Sequence, residues 1–336
     1  MKSLKSAAWE NQGSPALPIG FILPALLVVL VVTLFCASPA SAAGKITAYH
    51  PIFKPCRDAG GALQIIIRQY QVDGVPHVLL VNPATLETSV AKAVSLTDAG
   101  SAEAKTIANS PFVAALERNT APPCKLQNHG ATRSSRPVDG LFLTVDMCPS
   151  KRPFEQEMFT AVAELSRKGG GPVPLAVAMT GAWLELHRDD LAWIKGAVAA
   201  GKLAITWVNH SNSHPYEPKV PLTRNFLLSP GVDFEREVLS TELLLLENGL
   251  VPSPFFRFPG LVADGRLLTK LRELSLIPIG SDAWLAKGES PQNGSFILVH
   301  GNGNEPQGIR KLLPLLREEK PLRLLPLREA FAGVKR

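Results

Sequence analysis

Leu203-Ala204-Ile205-Thr206-Trp207-Val208-Asn209-His210-Ser211-Asn212-Ser213-His214 carries a β-rich stretch straight into two histidines four residues apart. The first seven residues read as a strand. Imidazole nitrogen is a good ligand for zinc and neighbouring transition metals. In one helical turn, positions i and i+4 share a face, so the spacing predicts that both rings point the same way. A histidine pair at a strand's C-terminal end is what an α/β barrel presents at its catalytic rim. Two surface histidines in a polar loop are the plainer reading of the same spacing.

Around that stretch the sequence alternates. Residues 140–146, 174–180, 203–209, 255–258, 276–280, 296–300 and 322–327 read as strands. Residues 154–167, 189–199, 234–248, 266–274 and 309–317 read as helices, with Gly249 closing the third. Such alternation predicts an α/β fold with a mostly parallel sheet and helices outside it. About seven strands suit a distorted (β/α) barrel. An open doubly wound sheet is the alternative, but no glycine-rich phosphate loop follows the first strand, which counts against a dinucleotide site.

Several strands end on polar residues. Asp146 follows Leu141-Phe142-Leu143-Thr144-Val145, and Arg257 sits in Phe255-Phe256-Arg257-Phe258-Pro259-Gly260. Asp282 and Trp284 follow Ile277-Pro278-Ile279-Gly280, and His300 ends Phe296-Ile297-Leu298-Val299. Each is ordinary alone. A barrel would bring them to one rim with the histidine pair, as a hydrolase requires.

These motifs, in this order, resemble the polysaccharide deacetylases of carbohydrate esterase family 4, the chitooligosaccharide deacetylase homology domain. Asn209-His210-Ser211-Asn212-Ser213-His214 matches the family's N-H-[ST]-x-x-H. Phe256-Arg257-Phe258-Pro259-Gly260 is similar to its arginine–proline motif, Ser281-Asp282-Ala283-Trp284 to its Asp/Trp motif, and Ile297-Leu298-Val299-His300 to its Leu-x-His motif. The resemblance covers residues 138–330. It implies a divalent metal, Zn2+ before other transition metals, held by His210 and His214. It implies Asp146 as the base, Arg257 as the group that holds Asp146, and His300 as the acid, with Asp282 orienting it. Trp284, Leu298 and Pro259 would lie against the substrate. The implied reaction removes acetyl from an N-acetylated or O-acetylated envelope or extracellular polysaccharide.

The first motif departs from the family. Where the family reads Thr-Phe-Asp-Asp-Gly, this chain has Thr144-Val145-Asp146-Met147-Cys148. Met147 replaces a metal-ligand aspartate, and a thioether is a poor zinc ligand. Four arrangements are open: Asp146 as a ligand, Cys148 as a substitute thiolate ligand, a weaker site of two histidines and water, or a dead site that only binds glycan. In an extended segment Cys148 lies on the same side as Asp146. A buried or disulfide-bonded cysteine is the plainer reading of Cys148.

The remainder of the chain frames this domain. Lys2 and Lys5 precede an apolar run from Phe21 to Phe35 and the small residues Ala40-Ser41-Ala42. That pattern predicts a signal peptide over 1–42 and a periplasmic or secreted protein, with no stable membrane span once it is cleaved. An uncleaved anchor facing outside is the alternative. Residues 43–130 are expected to form a small α+β unit and linker, with strands at 63–70 and 77–81 around an Asp73-Gly74 turn and a helix over 96–118. The polar stretch 129–137 continues the linker. Cys56 and Cys124 are the more natural disulfide pair in an oxidising compartment. The net charge of +6 is spread out, without basic runs and interleaved aromatics, so nucleic acid is not an expected partner. Two further functional readings stand beside the enzyme: a catalytically inactive, carbohydrate-binding envelope protein on the same barrel, and a structural protein whose N-terminal unit makes contacts.

Overall fold

The computed structural model describes residues 44–318 and 322–331, so the segment read as a signal peptide lies outside the described residues. The described N-terminal part is a five-stranded antiparallel sheet: β1 (Ile46–Arg57), β2 (Leu63–Val72), β3 (Val75–Val81), β4 (Thr88–Lys92) and β5 (Thr97–Asp98), in the order β4-β3-β2-β1-β5. Asp73 (φ 49°) and Gly74 (φ 79°) both take left-handed backbone between β2 and β3. Such a turn matches the twist of the strands it joins. The helical stretch is broken in two, α1 (Ser101–Ala108) and α2 (Pro111–Thr120). Ser110 caps the second by accepting from the Val113 N–H, and Pro111 follows at the first helical position.

The rest is a seven-stranded, all-parallel curled sheet with helices outside. Its elements run β6 (Phe142–Met147), α3 (Gln156–Gly169), β7 (Val173–Met179), α4 (Gly181–Leu186), α5 (Arg188–Ala199), β8 (Leu203–Asn209), α6 (Phe234–Glu247), β9 (Pro252–Phe256), α7 (Gly265–Glu273), β10 (Ile277–Pro278), β11 (Ala283–Trp284), β12 (Phe296–His300) and α8 (Pro306–Arg317). The order is β10-β9-β8-β7-β6-β12-β11. The expected α/β class and distorted barrel are present, but one strand is different. Residues 322–327 make only a bridge, Leu141 to Leu324, and the seventh strand is the two-residue β11. Pro326 has no N–H to extend a ladder there.

Alternation along β6 decides what faces what. Leu143, Val145 and Met147 point into the helix-side core with Phe159 and Val162. Phe142 joins a second core, in which Ala176, Ala178, Val208 and Phe255 of the barrel meet Ile65, Ile67, Leu79 and Val81 of the N-terminal sheet. The two sheets therefore share one apolar interior. The stretch read as a linker is stitched into the barrel wall. Ala131 bridges Ile279 beside β10, and Arg133 bridges Ser295 at the start of β12. Among the described residues no helix is long and apolar enough to cross a membrane. Cys56, Cys124 and Cys148 are all free. The expected Cys56–Cys124 bridge is absent because Cys56 packs with Ile66, Val78 and Leu80 inside the N-terminal sheet, whereas Cys124 is exposed beside Gly265.

Candidate metal and hydrolase site

The parallel register sets the rim. Asp146 on β6 is the direct partner of His300 on β12, and Trp284 on β11 pairs with Leu298. β8 ends at Asn209, and the next residue is His210. The expected helical turn over 210–214 does not form; Ser211 (φ 67°) and His214 (φ 47°) instead take left-handed backbone. The loop still brings the two rings together, with centroids 4.9 Å apart at 68°. It is held from α6: Glu237 accepts from the N–H groups of Asn212 and Ser213 at 2.9 and 2.8 Å. The Asn209 side chain donates to the Val238 carbonyl at 2.8 Å and accepts from the Ser211 N–H at 2.9 Å.

His210 is buried, and its Nδ1 lies 2.7 Å from the Arg257 carbonyl oxygen. A donor Nδ1 leaves Nε2 with its lone pair facing the cavity. That Nε2 lies 3.5 Å from Cys148 Sγ and 3.7 Å from Asp146 Oδ2. One donor atom from each of Cys148, His210 and His214 falls within 4.8 Å of the others. For zinc–sulfur and zinc–nitrogen bonds of about 2.3 and 2.0 Å, a tetrahedral edge is about 3.5 Å. A soft thiolate and two imidazoles thus form a donor set that fits a transition metal, zinc included. Met147 points the other way, into the helix-side core, so the loss of a carboxylate there leaves the inward position to Cys148.

The charges around these donors are strongly coupled. Burial raises the Asp146 carboxyl, but Arg257, then His210, His300 and His214, outweigh it and hold it below its ordinary value. Burial likewise raises the Cys148 thiol, yet His214 and His300 bring it down to about 7. Burial lowers His300, but Cys148, Glu305 and Asp146 push it well above the usual imidazole value. His210 is lowered by burial and is held neutral, as a metal ligand must be. Arg257 is fully buried, donates from Nη2 to Thr144 Oγ1 at 2.8 Å, and places Nη1 3.4 Å from Asp146 Oδ1. Neither of those last two atoms has a hydrogen-bond partner among the described residues.

Asp146, Cys148, His210, His214, Trp284, Leu298 and His300 all line one cavity of about 550 Å³. Two expected residues lie elsewhere. Asp282 accepts from the Phe296 N–H at 3.1 Å and sits 3.7 Å from Arg133 Nε. Phe296 starts the strand that His300 ends, about 13 Å away along it, so Asp282 cannot orient that ring. Pro259 is buried in a short turn, and its neighbours Gly260 and Leu261 line the cavity. The carboxylate beside His300 is Glu305: its Oε2 lies 2.9 Å from His300 Nδ1, a charge pairing whose angle is not that of a straight hydrogen bond. Glu305 also accepts from Trp284 Nε1 at 2.8 Å. Sequence reasoning missed Glu305, although it stands in the loop directly after His300.

Comparison with known proteins matches residues 47–109 to the family model described as the RP012 protein N-terminal domain. Across roughly 60% of the chain the structural neighbours are carbohydrate esterases of family 4. The chain is similar to a family 4 carbohydrate esterase from Bacillus anthracis, at 20% identity over 67% of this chain and 93% of that one, with a TM-score of 0.45. It is similar to the family 4 carbohydrate esterase from Streptomyces lividans, at 16% identity over 59% and 98%, with a TM-score of 0.39. It is also similar to a family 4 pseudoenzyme from Bacillus anthracis, at 13% identity over 58% and 66%, with a TM-score of 0.38.

Proposed function

We propose that this chain is an exported, metal-dependent hydrolase that removes acetyl groups from an N-acetylated or O-acetylated polysaccharide. One observation carries the reading: the Cys148, His210 and His214 donors share one cavity with Asp146 and His300. A divalent metal, zinc by the softness of the donors, would supply Lewis acidity when bound there. Asp146, kept ionised by Arg257, takes a proton from the attacking water. His300, protonated and paired with Glu305, gives its proton to the leaving amine or alkoxide. Leu298 and Trp284 wall the space beside them.

Met147, buried in the helix-side core and offering the cavity no carboxylate, favours a second reading, a barrel that binds glycan without turning it over. Elemental analysis of the purified protein, paired with acetate release from chitin fragments, peptidoglycan and acetylated exopolysaccharide, separates the two. Bound zinc with acetate release supports the hydrolase. A protein that holds no divalent metal and releases no acetate overturns it. Sequencing the N-terminus of the protein recovered outside the cytoplasm tests export; a chain beginning at Met1 refutes cleavage.

A further inference from the structure

One part of the cavity wall takes no part in the chemistry above. Tyr216 lines the cavity and is 59% exposed. Its ring stacks on Phe226, with centroids 5.0 Å apart and planes at 20°. Phe226 is itself buried and meets the His214 ring edge-on at 5.9 Å. An aromatic column therefore runs from a metal-donor ring to the cavity rim. Nothing in it is loose. A Cβ at Gly260 would run into the Phe226 ring, so glycine (φ 60°) is required beneath it. Asn225, buried, uses its whole amide to fix the segment: it donates to the Glu217 and Val220 carbonyls at 2.6 and 2.9 Å and accepts from the Glu217 and Phe226 N–H groups at 3.0 and 2.8 Å.

The other large aromatic of the cavity is already engaged. Lys287 Nζ lies 3.6 Å from the centroid of the Trp284 ring, and the Trp284 N–H is tied to Glu305. Tyr216 alone offers a rigidly backed ring with an open face. An aromatic ring left in water forgoes the burial that usually stabilises it, which points to a ligand that covers it. A cavity of about 550 Å³ takes a whole small molecule, far more than an acetyl group. A pyranose ring suits such a surface, with C–H bonds for the aromatic face and hydroxyls left at the wet edge.

We propose that Tyr216 is the platform on which a second sugar ring of the substrate lies, so that this residue sets how the polysaccharide crosses the site. This rests on the deacetylase reading only for which ring reaches the metal donors. Tyr216 is a specificity-determining residue and touches no reacting atom.

The test compares wild type with Tyr216→Ala and Tyr216→Gln, which remove the ring, and Tyr216→Phe, which keeps it. The tetramer of N-acetylglucosamine is titrated calorimetrically into each, which reads binding whether or not acetate is released. Loss of the ring is expected to weaken tetramer binding about tenfold, and Tyr216→Phe less than about threefold. Equal tetramer affinity with and without the ring overturns the platform, even where acetate release upholds the hydrolase. A wild type that does not bind the tetramer overturns it as well. Ring-dependent binding without any acetate release supports the platform and overturns the hydrolase instead.

Discussion

Two arginines are fully buried against carboxylates in this molecule, and they are treated differently. Arg68 meets Glu242 through two contacts, Nε to Oε2 at 2.6 Å and Nη2 to Oε1 at 2.9 Å. Its Nη1 donates to the Ile67 and Leu274 carbonyls, and Tyr49 donates to Glu242 Oε2. That pair joins β2 to α6 with its polar atoms engaged. Arg257 and Asp146 stand 3.4 Å apart with Nε, Nη1 and Oδ1 lacking hydrogen-bond partners among the described residues. A buried charge pair is tolerated where hydrogen bonds replace lost hydration. Around Asp146 and Arg257 such bonds are fewer, and Asp146 faces the cavity of the proposed site. The first pair builds the molecule; the second belongs to the site of the proposed chemistry.

The strongest way to break this contrast is Arg68→Ala. It leaves Glu242 buried without its partner, and a loss of about 3–5 kcal/mol of folding stability is expected in a denaturant titration. A change below about 1 kcal/mol would show that the pair is not structural. The counterpart is Asp146→Asn. Acetate release should fall roughly 10²–10⁴-fold, with a smaller loss of folding stability than Arg68→Ala causes, because asparagine keeps a polar group beside Arg257.

Metal sharpens the comparison next. Zinc at a hundredfold excess over its dissociation constant should stabilise the wild type by about 2.7 kcal/mol in a thermal shift. Cys148→Ser should cut that gain sharply, and zinc should protect Cys148 from alkylation in the wild type. An unchanged zinc shift in Cys148→Ser removes the thiolate from the ligand set.

The smallest effect is expected at Glu305→Gln. Glu305 helps hold His300 above its ordinary value, and the proposed mechanism uses His300 in its acid form. Removing the carboxylate lowers the His300 value, so activity on the alkaline side should begin to fall at a lower pH than in wild type, with a loss of about tenfold near the old limb. A pH–rate profile that does not move assigns the orientation of His300 to another group.

Much of the fold was legible because the decisive strands have strong local signals. The strands at 203–209 and 296–300 occur with the bounds expected, since each is a β-rich run closed by a polar rim residue. β11 was not legible, because two residues of Ala283-Trp284 become a strand only through pairing with β12. Asp146, His210, His214 and His300 line one cavity because they end or follow strands whose register fixes their height. Asp282 was expected beside His300 and Glu305 stands there instead, for the opposite reason. Both stand in loops, and only the path of the chain decides which carboxylate reaches the histidine.

The seam at 131–134 has a practical consequence. Ala131 reaches the parallel sheet beside its edge strand β10 and Arg133 just before β12, although both precede its first strand. Trimming the chain to residue 138 onward would leave the β10 margin facing water, the kind of surface on which separate copies zip together into aggregates. The amino-terminal half is thus a clasp rather than an attachment, and a shortened protein that precipitates would be reporting a lost fastening, not a poor catalyst.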